Sequence, residues 1–189
     1  IKSMADSRIT ILANQLFKSP ILNLENALRH ANGDFIFLSD QDDVWIDGKV
    51  TKLREALNNC DCVISDARIV DAHLNLIADS FFFVNRSKPG FMHNILKNGY
   101  LGACMAFNRK VLERSLPFPK NIPMHDIWIG TMASVCGKVM FLDNKLVLYR
   151  RHGNNASSTA ERSRYSFIRK IQMRGIILWD VILRKLNVL

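Results

Sequence analysis

Residues 34–45 have the sequence Asp-Phe-Ile-Phe-Leu-Ser-Asp-Gln-Asp-Asp-Val-Trp, in which an uninterrupted apolar run precedes three carboxylates. The apolar run is typical of a strand that is buried on both faces of a parallel sheet. Asp40, Asp42 and Asp43 follow at the carboxyl end of that strand, where ligands bind in sheets of this kind. Closely spaced carboxylates repel one another, and Mg²⁺ or Mn²⁺ bound with phosphate oxygens would offset the repulsion. The sequence therefore predicts a metal–diphosphate site, and the alternative is a solvated Asp-rich turn.

The chain is long and apolar enough for one globular domain, with 189 residues of which 48% are hydrophobic. It contains no apolar run long enough to span a bilayer and no recognisable signal peptide, so we expect a soluble or peripheral protein. The four cysteines fit neither zinc-ligand spacing nor a disulfide framework, which favours a reducing, cytoplasmic environment; they are Cys60, Cys62, Cys104 and Cys136.

Most of the formal net charge of +9 lies near the C-terminus, where residues 150–189 contain nine Lys or Arg and two acidic residues. Residues 163–186 mix basic and apolar side chains in a way that suits an amphipathic helix at a membrane surface. The same pattern suits a helix that packs on the domain or on a partner, and these alternatives stay open. A nucleic-acid partner is not expected, because neither a sheet of base-stacking aromatics nor a groove-reading motif is visible.

Alternating strand and helix patterns predict an α/β fold. A first strand is expected at Ile9–Ala13, and a helix begins after the Ser19-Pro20 pair. Further helices are expected at 50–57, 91–96 and 124–136, further strands at 62–65 and 139–149, and a hairpin with a loop at 69–83. We expect one domain over residues 1–158 and a C-terminal basic amphipathic helix over residues 159–189.

Four blocks of sequence carry a family resemblance. They are Gly33-Asp-Phe-Ile-Phe-Leu-Ser-Asp-Gln-Asp-Asp-Val-Trp45, Gly102-Ala-Cys-Met-Ala-Phe-Asn-Arg109, Met124-His-Asp-Ile-Trp128 and Tyr149-Arg-Arg-His-Gly-Asn-Asn155. In this order they resemble family-two glycosyltransferases of the inverting GT-A fold, and especially the rhamnosyltransferase-like branch. The resemblance implies a Rossmann-like mixed sheet flanked by helices. Relatives begin with two further nucleoside-binding strands, so it also implies an N-terminally truncated chain.

The resemblance implies roles for particular residues. Asp40 and Asp42, with Asp43 directly behind them, match the Asp-x-Asp element that holds Mg²⁺ or Mn²⁺ on the donor phosphates. Asp126 matches the general base that takes a proton from the acceptor hydroxyl, and His125 stands where many relatives have Glu. The other implied ligands are His152 for the metal, Arg150 and Arg151 for the diphosphate, and Asp40 and Gly102 for the donor; Gly102 could instead serve close packing.

The activity implied by the resemblance is metal-dependent glycosyl transfer, with rhamnose as one expected sugar. The expected donor is a dTDP- or UDP-sugar, and the expected acceptor is a saccharide or a lipid-linked saccharide in bacterial surface polysaccharide synthesis. The expected location is the cytoplasm or the inner face of the membrane. Two alternatives stay open, namely a haloacid-dehalogenase-like phosphatase with Asp40 as its nucleophile, and a non-catalytic module that binds membranes through its basic tail.

Overall fold

The computed structural model, which describes residues 6–12, 16–17, 19–151 and 166–186, has a mixed β-sheet at its centre. Its strands are β1 (Phe35–Phe37), β2 (Val44–Trp45), β3 (Cys62–Val70), β4 (Leu76–Ala78), β5 (Met105–Asn108) and β6 (Val139–Arg150). Their order is β1-β5-β3-β6-β2, and β4 pairs with β3 outside this path. β3 and β6 run parallel, from Cys62 opposite Val139 to Val70 opposite Arg150, whereas the other described pairs are antiparallel.

Helices cover both faces of the sheet. They are α1 (Pro20–His30), α2 (Lys49–Ala56), α3 (Phe81–Asn85), α4 (Phe91–Leu96), α5 (Arg109–Ser115), α6 (His125–Cys136) and α7 (Phe167–Lys185), with a 3₁₀ turn at Gly102–Cys104. Successive residues of a strand point to opposite faces, so Val63 of β3 packs with α2 while its neighbours Cys62 and Ile64 join the larger cluster formed with α5, α6 and α7. The expected α/β class, a mixed sheet flanked by helices, is confirmed.

Most of the predicted elements are present with small shifts at their ends. α1 begins at Pro20, α2 and α6 match the expected helices, and the expected hairpin is formed by β3 and β4. Ser19 is the N-cap of α1, but its side chain makes no capping hydrogen bond. Helix propensity and apolar spacing are local properties, which is why these elements could be predicted.

Two strand predictions are wrong in part. Residues 9–12 form no strand, and Ile9 and Ile11 are 38% and 47% exposed; Ala13 lies outside the described residues. β1 does not lie in a parallel pair, because its described neighbour β5 runs antiparallel to it. Both faces of β1 are covered, which accounts for its uninterrupted apolar sequence. Ile36 packs in the larger hydrophobic cluster and Phe37 packs against the smaller one, which includes α2.

The C-terminal helix packs on the domain. Ile177 and Val181 of α7 are buried in the larger cluster, and the Arg184 guanidinium donates to the carbonyls of Leu116 and Pro117 at 2.5 and 2.6 Å. Of the alternatives left open for this segment, packing on the domain is therefore confirmed for one face. No helix in the described ranges has the length and the apolar character needed to cross a membrane.

Candidate active site

The three predicted carboxylates lie in the turn between β1 and β2. The start of this turn is fixed by a hydrogen bond from the backbone N–H of Leu38 to the carbonyl of Met105 at 3.1 Å. Beyond it, β2 pairs with β6, and the backbone N–H of Arg150 donates to Asp43 Oδ1 at 2.8 Å. The acidic turn, residues 39–43, is therefore held against the C-terminal end of β6.

Desolvation and repulsion between neighbouring carboxylates raise the pKa of two residues in this turn, Asp43 and Asp40. Desolvation raises the pKa of Asp43 to about 6; Asp40 and Asp42 add to the rise, while the Arg150 N–H and Lys49 oppose it. Loss of hydration also raises the pKa of Asp40, with Asp42 adding to the rise and His125 and Lys49 opposing it. The turn thus concentrates negative charge that a nearby cation would stabilise.

The donor atoms of the acidic turn fit a divalent ion. Asp43 Oδ2 is buried and has no hydrogen-bond partner among the described residues, and a buried carboxylate oxygen without a donor is costly. Within the same ranges no three His, Cys, Asp or Glu side chains are grouped as metal ligands. Mg²⁺ commonly binds through one or two carboxylates, with phosphate oxygens and water as its other ligands. Metal binding by Asp40, Asp42 and Asp43 therefore remains a prediction that suits the chemistry of the turn.

Asp126 lies in the first turn of α6 and is 5% exposed. Its Oδ1 accepts a hydrogen bond from the backbone N–H of Ile127 at 2.6 Å, and its Oδ2 accepts one from Asn98 Nδ2 at 3.3 Å. Desolvation raises the pKa of Asp126 and Asp40 adds to the rise, while His125 and the two hydrogen bonds oppose it. The N-cap of α6 is Met124, so Asp126 is not simply the capping residue. A carboxylate with a raised pKa is a stronger proton acceptor than an ordinary Asp.

The acidic turn and the start of α6 meet in one site. Asp40 raises the pKa of Asp126, and His125 lowers the pKa of both carboxyls, so the three groups lie within electrostatic reach. Gly102 lies against the same histidine, because a Cβ added there would come 2.8 Å from His125 Nε2 and 3.8 Å from Asp126 Cβ. The structure thus shows Gly102 making room for His125, and its contact with a donor sugar stays a prediction.

The predicted phosphate-binding residues lie at the end of β6. The guanidinium of Arg150 donates to the carbonyl of Ala72 at 3.2 Å, and its backbone N–H holds Asp43. The backbone N–H of Arg151 donates to the carbonyl of Val70 at 2.8 Å and continues the pairing with β3. His152 lies outside the described residues, and its metal ligation stays a prediction. The contacts of Arg150 and Arg151 with phosphate stay predictions as well.

Two residues of the site were not found from the sequence. Asn98 orients Asp126, and its own Oδ1 accepts from the backbone N–H of Tyr100 at 3.0 Å; no local pattern points to this contact. Lys49 is 1% exposed, and its ammonium donates to the carbonyl of Ala103 at 2.7 Å. Lys49 precedes the buried Leu53 by four positions, so helical spacing could have placed it on the buried face of α2.

Three comparisons with known proteins agree with one another. The model of glycosyl transferase family 2 matches residues 1–116, a range that includes the acidic turn, Lys49 and Gly102 but not Asp126. The dTDP-rhamnosyl transferase RfbG of Shigella flexneri is 26% identical over 136 residues, which are 66% of this chain and 45% of that protein. The crystal structure of S. aureus TarS in complex with UDP-GlcNAc matches with a TM-score of 0.55 and 14% identity, over 82% of this chain and 45% of that chain. The chain thus spans about half the length of each relative, and the structural likeness concerns the fold.

Proposed function

This chain belongs to glycosyl transferase family 2, and from that we propose that the protein moves a sugar from a nucleotide-sugar donor to an acceptor hydroxyl. The observation that carries the proposal is the meeting of the acidic turn with Asp126. A donor-binding carboxylate cluster and a buried base are the two parts that a single displacement at an anomeric carbon needs. Membership of this family and the GT-A fold favour transfer over the phosphatase alternative.

Asp126 is the proposed general base. Its carboxylate takes the proton of the acceptor hydroxyl, and the freed oxygen attacks the anomeric carbon of the donor. The new bond to that carbon forms while the bond to the diphosphate oxygen breaks, so the electron pair leaves with the nucleoside diphosphate and the anomer inverts. The raised pKa of Asp126 supports this role, and the hydrogen bonds from Asn98 and Ile127 fix the direction of its carboxylate.

The acidic turn is the proposed site for Mg²⁺ or Mn²⁺. Asp40, Asp42 and Asp43 would hold the ion together with His152, and the unpartnered Asp43 Oδ2 in the described part of the chain supports this. When bound, the ion would offset negative charge on the leaving diphosphate. Arg150, at the end of β6, holds Asp43 through its backbone N–H, and Arg151 is the next residue. The guanidinium groups of both residues suit phosphate oxygens.

The relatives suggest the class of donor. RfbG is named a dTDP-rhamnosyl transferase, and TarS was crystallised with UDP-GlcNAc. We therefore propose a dTDP- or UDP-sugar as the donor, with rhamnose transfer as one candidate activity. For the acceptor we propose a saccharide or a lipid-linked saccharide of a bacterial surface polysaccharide.

The solvent-exposed face of α7 has features of a helix that binds a membrane surface. Opposite the buried Ile177 and Val181 lies an apolar stripe whose members are 50% to 68% exposed; it consists of Ile168, Ile171, Trp179, Ile182 and Leu186. Arg169 and Lys185 are exposed basic residues near the two ends of the same helix. Anionic headgroups would neutralise their charge. We propose that α7 rests on the anionic inner face of the membrane, where lipid-linked acceptors are presented.

Replacing the base tests the proposal. Asp126→Asn is expected to lower the transfer rate by about 10²–10⁴-fold, the usual contribution of a general base. Binding of UDP or dTDP with Mn²⁺ is expected to stay unchanged, because the acidic turn remains intact. Transfer is followed as UDP or dTDP release from the sugar donor that the wild-type protein uses. The control is Asp143→Asn, an exposed carboxylate on β6, which is expected to alter neither quantity. Full turnover by Asp126→Asn would reject Asp126 as the base.

A further inference from the structure

Lys49 is a buried cation at the start of α2. It is 1% exposed, and it sits four positions before the fully buried Leu53. Taking an ammonium group out of water is unfavourable unless it is paired and hydrogen-bonded. A methionine would fill a similar volume without that desolvation cost, so packing alone does not account for a lysine here.

The surroundings of Lys49 compensate its charge from several sides. Its ammonium donates to the carbonyl of Ala103 at 2.7 Å and lies 4.0 Å from the ring centroid of Trp45. Desolvation lowers the pKa of Lys49 to about 8, while Asp43 and Asp40 oppose this shift. The cation therefore contacts both Trp45, two residues after the acidic turn, and the backbone of the 3₁₀ turn.

These contacts connect parts of the site that are distant in sequence. Ala103, which accepts from Lys49, follows Gly102, and the close packing of Gly102 on His125 brings the 3₁₀ turn against the start of α6. Asp126 is the next residue of that helix. A chain of contacts thus runs from Trp45, just after the acidic turn, through Lys49 and the 3₁₀ turn to His125, the neighbour of the proposed base.

We propose that Lys49 is a positioning residue, which holds the acidic turn and the Gly102–Cys104 turn in the arrangement that donor binding requires. This inference rests on the proposed function and adds to it a residue that need not touch the substrate. The contact of the ammonium with Trp45 holds the segment that follows the acidic turn, its charge favours the ionised forms of Asp40 and Asp43, and its hydrogen bond holds the backbone next to Gly102. Loss of Lys49 therefore disturbs both sides of the site at once.

The experiment compares Lys49→Met with Lys52→Met. Lys52 lies on the same helix but is exposed, so it controls for the loss of one positive charge. UDP and dTDP are titrated calorimetrically in the presence of Mn²⁺, and amide hydrogen exchange is measured over the whole chain without nucleotide. We expect Lys49→Met to remain folded, to bind the nucleotide at least about tenfold more weakly, and to exchange faster at residues 39–46 and 101–106 only. Lys52→Met is expected to match the wild type in both measurements.

Other outcomes would overturn the inference. Wild-type affinity and wild-type exchange in Lys49→Met would show that neither turn depends on the cation. Faster exchange over the whole domain would show that Lys49 serves general stability. If the wild-type protein binds no nucleotide, the proposed function fails, and the exchange contrast still decides whether Lys49 links the two turns. If Lys49→Met does not fold, Lys49→Gln decides, because Gln is no larger than Lys and removes the charge. Its affinity should then fall at least about tenfold, and wild-type affinity would contradict the proposal.

Discussion

Asp126, the proposed base, combines burial with an ionisable carboxyl, and this combination affects both its strength as a proton acceptor and its contribution to stability. Desolvation raises its pKa and makes its carboxylate a better proton acceptor. The same desolvation makes the ionised form unfavourable in the folded protein. Catalytic groups are often retained at the expense of stability. Replacing Asp126 should therefore lower the activity and raise the stability.

Asp126→Asn is expected to raise the melting temperature at pH 8. A carboxyl whose pKa is raised by folding contributes stability while it is protonated and loses that contribution as the pH rises through its folded pKa. At pH 8 the unfolded wild-type protein exposes an ionised carboxylate to water, whereas the folded protein must either bury that charge or bind a proton, and the neutral Asn carries neither cost. The difference should shrink on acidification and vanish near pH 4, around the pKa of an unfolded Asp. Thermal unfolding from pH 4 to pH 8, with Asp143→Asn as the control, measures this; a lower melting temperature for Asp126→Asn at pH 8 would contradict it.

Two glycines allow a comparison between a site residue and a packing residue. In Gly102→Ala the new Cβ would lie 2.8 Å from the end of the His125 ring, which can move, so we expect weaker donor binding with little loss of stability. In Gly130→Ala the new Cβ would lie 2.6–2.7 Å from three ring atoms of Tyr100, which is fully buried and bonded to Ser134 at 3.0 Å. That ring cannot move away, so we expect Gly130→Ala to lower the free energy of unfolding by about 1–3 kcal/mol. Nucleotide titration and thermal unfolding of both variants test this comparison. A larger loss of stability in Gly102→Ala than in Gly130→Ala would refute it.

The segments that carry the proposed site residues could be predicted because they have a local pattern. Asp40, Asp42 and Asp43 follow an apolar run, and Asp126 opens a helix, so their segments could be placed from neighbouring residues alone. Asn98 and the packing of Gly102 on His125 depend on contacts between distant segments, which a single sequence does not display. The approach of Asp40 to Asp126 is of the same kind, and only the fold shows it.

The direction and pairing of a strand could not be predicted where its sequence shows only that the strand is buried. The apolar run of β1 indicates cover on both faces, but such cover arises beside an antiparallel neighbour as well as beside a parallel one. The apolar residues at 9–12 were expected to form a strand, yet no described strand pairs with them. α7 was ambiguous because it is apolar on two sides, of which one packs on the domain.

The outer stripe of α7 gives a prediction at this scale. Trp179 is 61% exposed, and its replacement in Trp179→Glu puts a charge in the middle of the stripe without touching the buried face. We expect the wild-type protein to float with vesicles that contain phosphatidylglycerol and not with pure phosphatidylcholine vesicles. Trp179→Glu should bind the anionic vesicles at least about tenfold more weakly.

Leu76→Glu is the matched control for this experiment. Leu76 is 59% exposed on β4, in a different part of the fold, so this change should leave vesicle binding unaltered. Equal binding by wild type and Trp179→Glu would reject the stripe as a membrane contact. Dimerisation that depends on Trp179, seen by sedimentation, would assign the stripe to a second copy of the chain.

At the scale of the whole molecule, the site depends on segments from most of the described chain. The acidic turn, the loop with Asn98, the 3₁₀ turn, the start of α6 and the end of β6 all contribute. Positive charge is concentrated towards the C-terminus, because residues 150–189 hold most of the net +9, and α7 alone carries five Lys or Arg and one Asp. The basic α7 suits the anionic surface proposed for it, while Arg150 lies at the acidic site itself.

The most direct test of the proposed function is a calorimetric titration of this chain with UDP, dTDP and GDP, each with Mn²⁺ and with EDTA. Metal-dependent binding that discriminates between the nucleotides is the expected result. In the double variant Asp40→Asn with Asp42→Asn the affinity should fall at least about tenfold, and Asp143→Asn should leave it unchanged. Absence of binding, or binding that neither EDTA nor the double variant weakens, would reject the proposed metal–diphosphate site.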